Sequence, residues 1–80
     1  MNKQLQEFAR STLKKQLSML PEKNQRIFKL MYGRNLNARG DAKRSVADTE
    51  LMSINNVVDE MPEDNLSWAM EQVERTINDA

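Results

Sequence analysis

The chain contains no cysteine and no histidine. It can therefore form no disulfide, and it carries no thiolate nucleophile, no imidazole acid–base group and none of the usual zinc ligands. Those two absences exclude most common catalytic constellations. Glycine is scarce as well, and the only two, Gly33 and Gly40, lack the spacing and the flanking strand of a phosphate-binding loop. No apolar run approaches the roughly 20 residues of a membrane span. The start Met1-Asn2-Lys3-Gln4 leads into a charged amphipathic segment, not the apolar core of a signal peptide. We expect a soluble cytoplasmic protein with no membrane partner.

What is present is charge, and it is unevenly placed. The net charge is zero, yet residues 1–44 hold eleven of the twelve Lys and Arg against Glu7, Glu22 and Asp41, a balance of +8. Residues 45–80 hold Arg75 alone against nine acids, a balance of −8. The simplest expectation is that the acidic half folds back on the basic half. The alternatives are a basic face for nucleic acid or an acidic face for a basic partner. Eighty residues suffice for a single helical domain, 1–80, with only a few kcal/mol of net stability, to which a partner or a second copy can contribute.

Helical periodicity dominates the pattern. Leu5, Phe8, Ala9, Thr12, Leu13, Leu17 and Leu20 recur at spacings of three and four, as on one side of a helix. Pro21 then ends one helix and opens the next, and Glu22 stands where the helix dipole favours an anion. Ile27, Phe28, Leu30, Met31 and Tyr32 give this second helix a broad apolar side, and Gly33 is expected to terminate it. Its apolar side should pack between the first and last helices, with Phe8 meeting Phe28. Residues 33–44 read as a flexible loop; the Arg39-Gly40-Asp41 tripeptide within it is a chance match to an extracellular recognition motif. Ser45 and Ser53 are both cap candidates, so 45–61 is one helix or two. Met61-Pro62-Glu63-Asp64-Asn65 repeats the grammar of Leu20-Pro21-Glu22-Lys23-Asn24 and opens a final helix with Leu66, Ala69, Met70, Val73 and Ile77 on its apolar side. Trp68 lies at the edge of that stripe, as a core residue or as an interface anchor.

The chain is thus predicted to be all-α, a small bundle of four or five helices with a flexible loop near 33–44. The expected core is Leu5, Phe8, Leu13, Leu17, Ile27, Phe28, Met31, Val57, Val58, Leu66, Met70, Val73 and Ile77. Acidic pairs such as Asp59 with Glu60 and Glu63 with Asp64 lack the spacing of a cation-binding loop, so they read as solvated faces and first-turn dipole partners. No catalytic residue, cofactor or metal is expected. A helix-turn-helix opening is visible in Leu20–Tyr32, but the segment that would read DNA, Ile54–Met61, carries Asp59 and Glu60 and no base, whereas phosphate contacts dominate such binding.

Leu20-Pro-Glu-Lys-Asn-Gln-Arg-Ile-Phe-Lys-Leu-Met-Tyr-Gly33, Val57-Val-Asp-Glu-Met-Pro62 and Leu66-Ser-Trp-Ala-Met-Glu-Gln-Val73 together resemble small helical proteins of unassigned function encoded by tailed bacteriophages and prophages. The resemblance covers residues 20–33 and 57–77, not the segment from Arg34 to about Glu50. It implies synthesis in the bacterial cytoplasm and a non-enzymatic accessory role, in which the protein binds and modulates a host protein; the opposite charged faces offer pairing with itself as a homodimer as the other protein partner. For such a protein interface the candidates are Asp59, Glu60, Glu63, Asp64, Trp68 and Glu71. The alternative is a small nucleic-acid-binding regulator using a basic face of Lys14, Lys15, Lys23, Arg26, Lys29, Arg34, Arg39, Lys43 and Arg44.

Overall fold

A computed structural model describes residues 1–79, Asp79 without its side chain. Five α-helices follow in order: α1 (Lys3–Met19), α2 (Glu22–Arg39), α3 (Val46–Leu51), α4 (Ile54–Glu60) and, after a 3-10 turn at Glu63–Asn65, α5 (Leu66–Asp79). There is no strand among the described residues, so the all-α bundle expected from periodicity is the fold.

Each boundary has a local cause. The Asn2 side chain accepts the Leu5 N–H at 2.8 Å and starts α1. Pro21 forces Leu20 into an extended conformation (φ −75°, ψ 152°), which stops it. Ser45 accepts from Asp48 N–H and Ser53 from Asn56 N–H, both at 3.1 Å, so 45–61 is two capped helices with Met52 extended between them. The Pro62 carbonyl accepts the Asn65 N–H at 2.9 Å in the turn that feeds α5.

The end of α2 departs from expectation. The helix runs through Gly33 to Arg39, and Gly40 terminates it in the left-handed conformation (φ 78°). Gly40 N–H bonds to Asn37 O and Asp41 N–H to Leu36 O, the Schellman pattern. The irregular segment therefore shrinks from 33–44 to Gly40–Ser45. Gly33 serves packing instead: a Cβ there would stand 3.3 Å from both Val46 Cα and Thr49 Cβ. The missing side chain lets α3 lie directly on α2. Accordingly α2 packs chiefly on α3 and only secondarily on α4 and α5, while α1 rests on α4 and α5; α2 is not sandwiched between the first and last helices.

The core is built from Leu13 and Leu17 of α1; Phe28, Tyr32 and Leu36 of α2; Ile54, Val57 and Val58 of α4; Met61; and Leu66, Ala69 and Val73 of α5. Seven of these were expected. Six residues assigned to the core are on the surface instead: Leu5 (55 % exposed), Phe8 (70 %), Ile27 (45 %), Met31 (37 %), Met70 (39 %) and Ile77 (47 %). Phe28 stacks on Trp68, ring centroids 5.7 Å apart, and Phe8 lies out in solvent. The apolar stripes of the long helices are wider than the interior that two helices of six and seven residues can help enclose.

Gly33→Leu should destabilise the fold by about 2–3 kcal/mol by forcing α3 off α2. Gly33→Ala should be near neutral, because a helix-propensity gain of about 1 kcal/mol offsets the tight fit. Urea unfolding midpoints of the two variants check both.

Candidate interaction surface

The basic N-terminal half is clamped onto the acidic C-terminal half. Lys14 pairs with Asp59 at 2.5 Å, Arg26 with Glu50 at 2.7 Å, Arg39 with Asp64 at 2.7 Å, Arg44 with Glu60, and the Met1 amine with Glu63 at 2.6 Å. Hydrogen bonds to Asp64 and Glu60 raise the pKa values of Arg39 and Arg44 respectively. Most of these groups are partly exposed, so water screens each pair and none contributes much to stability by itself. Their main effect is to fix register.

Two cations act on backbone instead. Arg10 donates to Val58 O at 2.7 Å and Met61 O at 2.8 Å, satisfying carbonyls at the end of α4. Lys29 donates to Met52 O at 2.9 Å just beyond α3. Buried Asn65 donates to Asn35 Oδ1 at 3.1 Å and accepts from Arg39, which ties the 3-10 turn to α2.

The candidate basic face is thereby dispersed. Lys14, Arg26, Lys29, Arg39 and Arg44 are engaged within the molecule, while Lys15, Lys23, Arg34 and Lys43 have no acidic partner among the described residues. Lys23, Arg26 and Lys29, three apart in sequence, do not form one free ridge, because Arg26 and Lys29 turn to the α3 side. Of the candidate interface residues, Asp59, Glu60, Glu63 and Asp64 hold the pairs above, and Glu71 pairs with Arg75 at 2.8 Å. Trp68 is half-buried against Phe28.

The side chains left over are apolar ones that periodicity had placed inside. With roughly 100° between successive residues on a helix, the side of α2 opposite buried Tyr32 and Leu36 carries Lys23, Ile27, Leu30, Met31 and Arg34 as one stripe. An open depression on α2 is lined by Lys23, Ile27 and Leu30 together with Glu22 and Arg26. On α1, Arg10 and Lys14 face α4, so the flank with Leu5 and Phe8 turns the other way, toward α5. On α5, Trp68 faces α2, so Met70 and Ile77 turn toward α1. One apolar stripe therefore lies on the outer side of α2, and a second lies in the angle between α1 and α5. Periodicity found these residues; only the neighbours of each helix reveal which edge of its stripe stays outside.

Beneath the Gly40–Ser45 segment, a cavity of about 30 Å³ is lined by Tyr32, Leu36, Ala42, Arg44, Thr49, Glu60 and Pro62 among others, room for about one water molecule. Burial and the Glu60 carboxylate push the Tyr32 phenol from 10.0 up to about 12. No three acidic side chains converge as a metal site among the described residues, and no described helix is long and apolar enough to cross a membrane.

Arg10→Met should cost about 2 kcal/mol by removing the charged donor to Val58 O of α4 and to Met61 O just beyond it, whereas Lys14→Met should cost no more than about 0.5; thermal melts of the two separate backbone capping from surface pairing. The folded state holds the Tyr32 proton more tightly than the unfolded chain does. Its stabilisation is therefore full below pH 10 and is lost as pH rises to about 12. Tyr32→Phe should remove that alkaline loss, about 2–3 kcal/mol, as read by denaturation at pH 9, 10.5 and 12.

Compared with protein-family models, with curated proteins and with solved structures, the chain matches none.

Proposed function

We propose that this chain is a non-enzymatic accessory protein of a tailed bacteriophage or prophage, which acts in the bacterial cytoplasm by binding and modulating a host protein. The observation that carries the binding reading is the outer stripe of α2. There Ile27 and Met31, 45 % and 37 % exposed, lie between Lys23 and Arg34, cations that no carboxylate of the chain neutralises among the described residues. Isolated exposed apolar side chains are ordinary. Apolar anchors in a row with a free cation at each end are the chemistry of a helix-in-groove or helix-on-helix contact. The charge fixes the kind of partner: an amphipathic segment with apolar anchors and acidic flanks. The phage origin and the host target rest on the resemblance of residues 20–33 and 57–77.

The nucleic-acid alternative draws less support. The cations it needs are spread over different sides, and five of the nine are spent on carboxylates or a carbonyl. The helix in the reading position, α4, presents Asn55, Asn56 and Asp59 to solvent and carries no base.

Immobilised protein should retain one stoichiometric partner from a bacterial lysate. Ile27→Asp should abolish the capture and Lys23→Glu with Arg34→Glu should weaken it at least tenfold, the purified partner behaving the same way toward both variants. A partner retained undiminished by Ile27→Asp sinks the α2 assignment. A mobility shift of duplex or single-stranded DNA at low salt, lost on reversing Lys23 and Arg34, would favour the nucleic-acid alternative instead.

A further inference from the structure

The second apolar strip, in the angle between α1 and α5, differs from the first in its chemistry. Phe8, 70 % exposed, is the most exposed aromatic side chain of the protein, and Leu5, Met70 and Ile77 are 55 %, 39 % and 47 % exposed. Helical geometry puts Leu5 and Phe8 on the α5 side of α1, and Met70 and Ile77 on the α1 side of α5. The two edges of this strip carry opposite charge. Lys15 lies two turns beyond Phe8 on the outer side of α1, where it also lines a shallow depression with Asn55 of α4; Glu74 stands between Met70 and Ile77 along α5, and neither has an opposite charge bound to it among the described residues. The free acid and the free base of one strip belong to one surface, which makes that surface complementary to itself.

We infer that the α1/α5 strip seats a second copy of this chain in a two-fold dimer, α1 of each copy lying on α5 of the other. A two-fold axis running along the strip produces that arrangement. The Met1 amine bound to Glu63 places the start of α1 beside the entrance to α5, so the two helices run side by side from the same end. Turning a copy about that axis sets the Leu5–Phe8 edge against the Met70–Ile77 edge twice over, and brings Lys15 of each copy toward Glu74 of the other. An isologous contact of this kind buries each side chain in duplicate. The available surface sets its strength. A standard interface takes about 800 Å² from each partner, roughly 15 % of the 5283 Å² this chain exposes. Two helices of 17 and 14 residues offer about that much and little more, so the dimer should dissociate on dilution through the micromolar range. The inference does not depend on the host-partner reading, which uses other side chains on another helix.

Light scattering on the eluting protein, from about 1 µM to about 1 mM, tests it. The mass should rise from 9.3 kDa toward twice that value. Phe8→Asp replaces an exposed side chain and should leave the helical circular dichroism intact while raising the dimer dissociation constant at least a hundredfold. Lys15→Glu and Glu74→Lys should each weaken the dimer several-fold, and the double reversal should restore it, a rescue that loss of folding cannot mimic. Ile27→Asp should leave the dimer unchanged. A mass of 9.3 kDa at every concentration, or a dimer indifferent to Phe8→Asp, overturns the proposal. A monomer whose captured partner is still lost on Ile27→Asp would end the dimer and leave the host-binding reading standing.

Discussion

The contact on which the rest of the structure depends is Arg10 on the last carbonyls of α4. A helix of seven residues is far below the length at which it is stable alone. Its end must be held by something outside it, and the guanidinium of Arg10 does so by reaching across from α1 to Val58 O and Met61 O. The bond fixes the rotation of α1 about its own axis. Once Arg10 and Lys14 face α4, Leu13 and Leu17 point inward and Leu5 and Phe8 are carried round to the outside. Lys29 works in parallel on α2, donating to Met52 O between α3 and α4. Long basic helices thus cap short acidic ones, and the side chains displaced by that choice become the exposed apolar strips.

This gives the charge separation of the chain a structural meaning. Five ion pairs join residues 1–44 to residues 45–80. No single one contributes much, since most of these groups meet water on at least one side. Together they favour one arrangement of the two halves over alternatives that would leave like charges adjacent. They also engage four of the nine candidate cations, Lys14, Arg26, Arg39 and Arg44, and so interrupt what would otherwise be a continuous basic surface. Of the cations without an acidic partner among the described residues, Lys15, Lys23 and Arg34 set the character of the strips they border.

The glycines show how a correct residue-level argument reaches the wrong position. Gly33 and Gly40 are both credible helix terminators, and the apolar pattern weakens after Tyr32, so ending α2 at Gly33 follows from local rules. Gly40 is the one that takes the left-handed turn, and Gly33 is kept free of a side chain by the backbone of α3 lying across it. The consequence for the core is direct: the extra turns of α2 bring Leu36 inside and carry Arg39 to Asp64 and Asn65. Tyr32, one residue before Gly33, is buried with its phenol over the small cavity beside Glu60, and Leu36 of the extension lines the same cavity.

The amino-acid sequence by itself determined the helical class, the breaks at Pro21 and Pro62 and the opposite charge of the two halves, and it named Ser45 and Ser53 as cap candidates while leaving 45–61 as one helix or two. All of these are local or global properties that need no knowledge of neighbours. It also marked the apolar stripes on α1, α2 and α5. The tertiary structure alone decided which edge of each stripe is covered, because an amphipathic stripe spans a wider arc than one neighbouring helix can bury, and the rotation is set by partners distant in sequence. Arg10 meeting residues 58 and 61, and Gly33 meeting residues 46 and 49, are such partners. The candidate surfaces are therefore made of residues that periodicity names as core and that packing leaves outside.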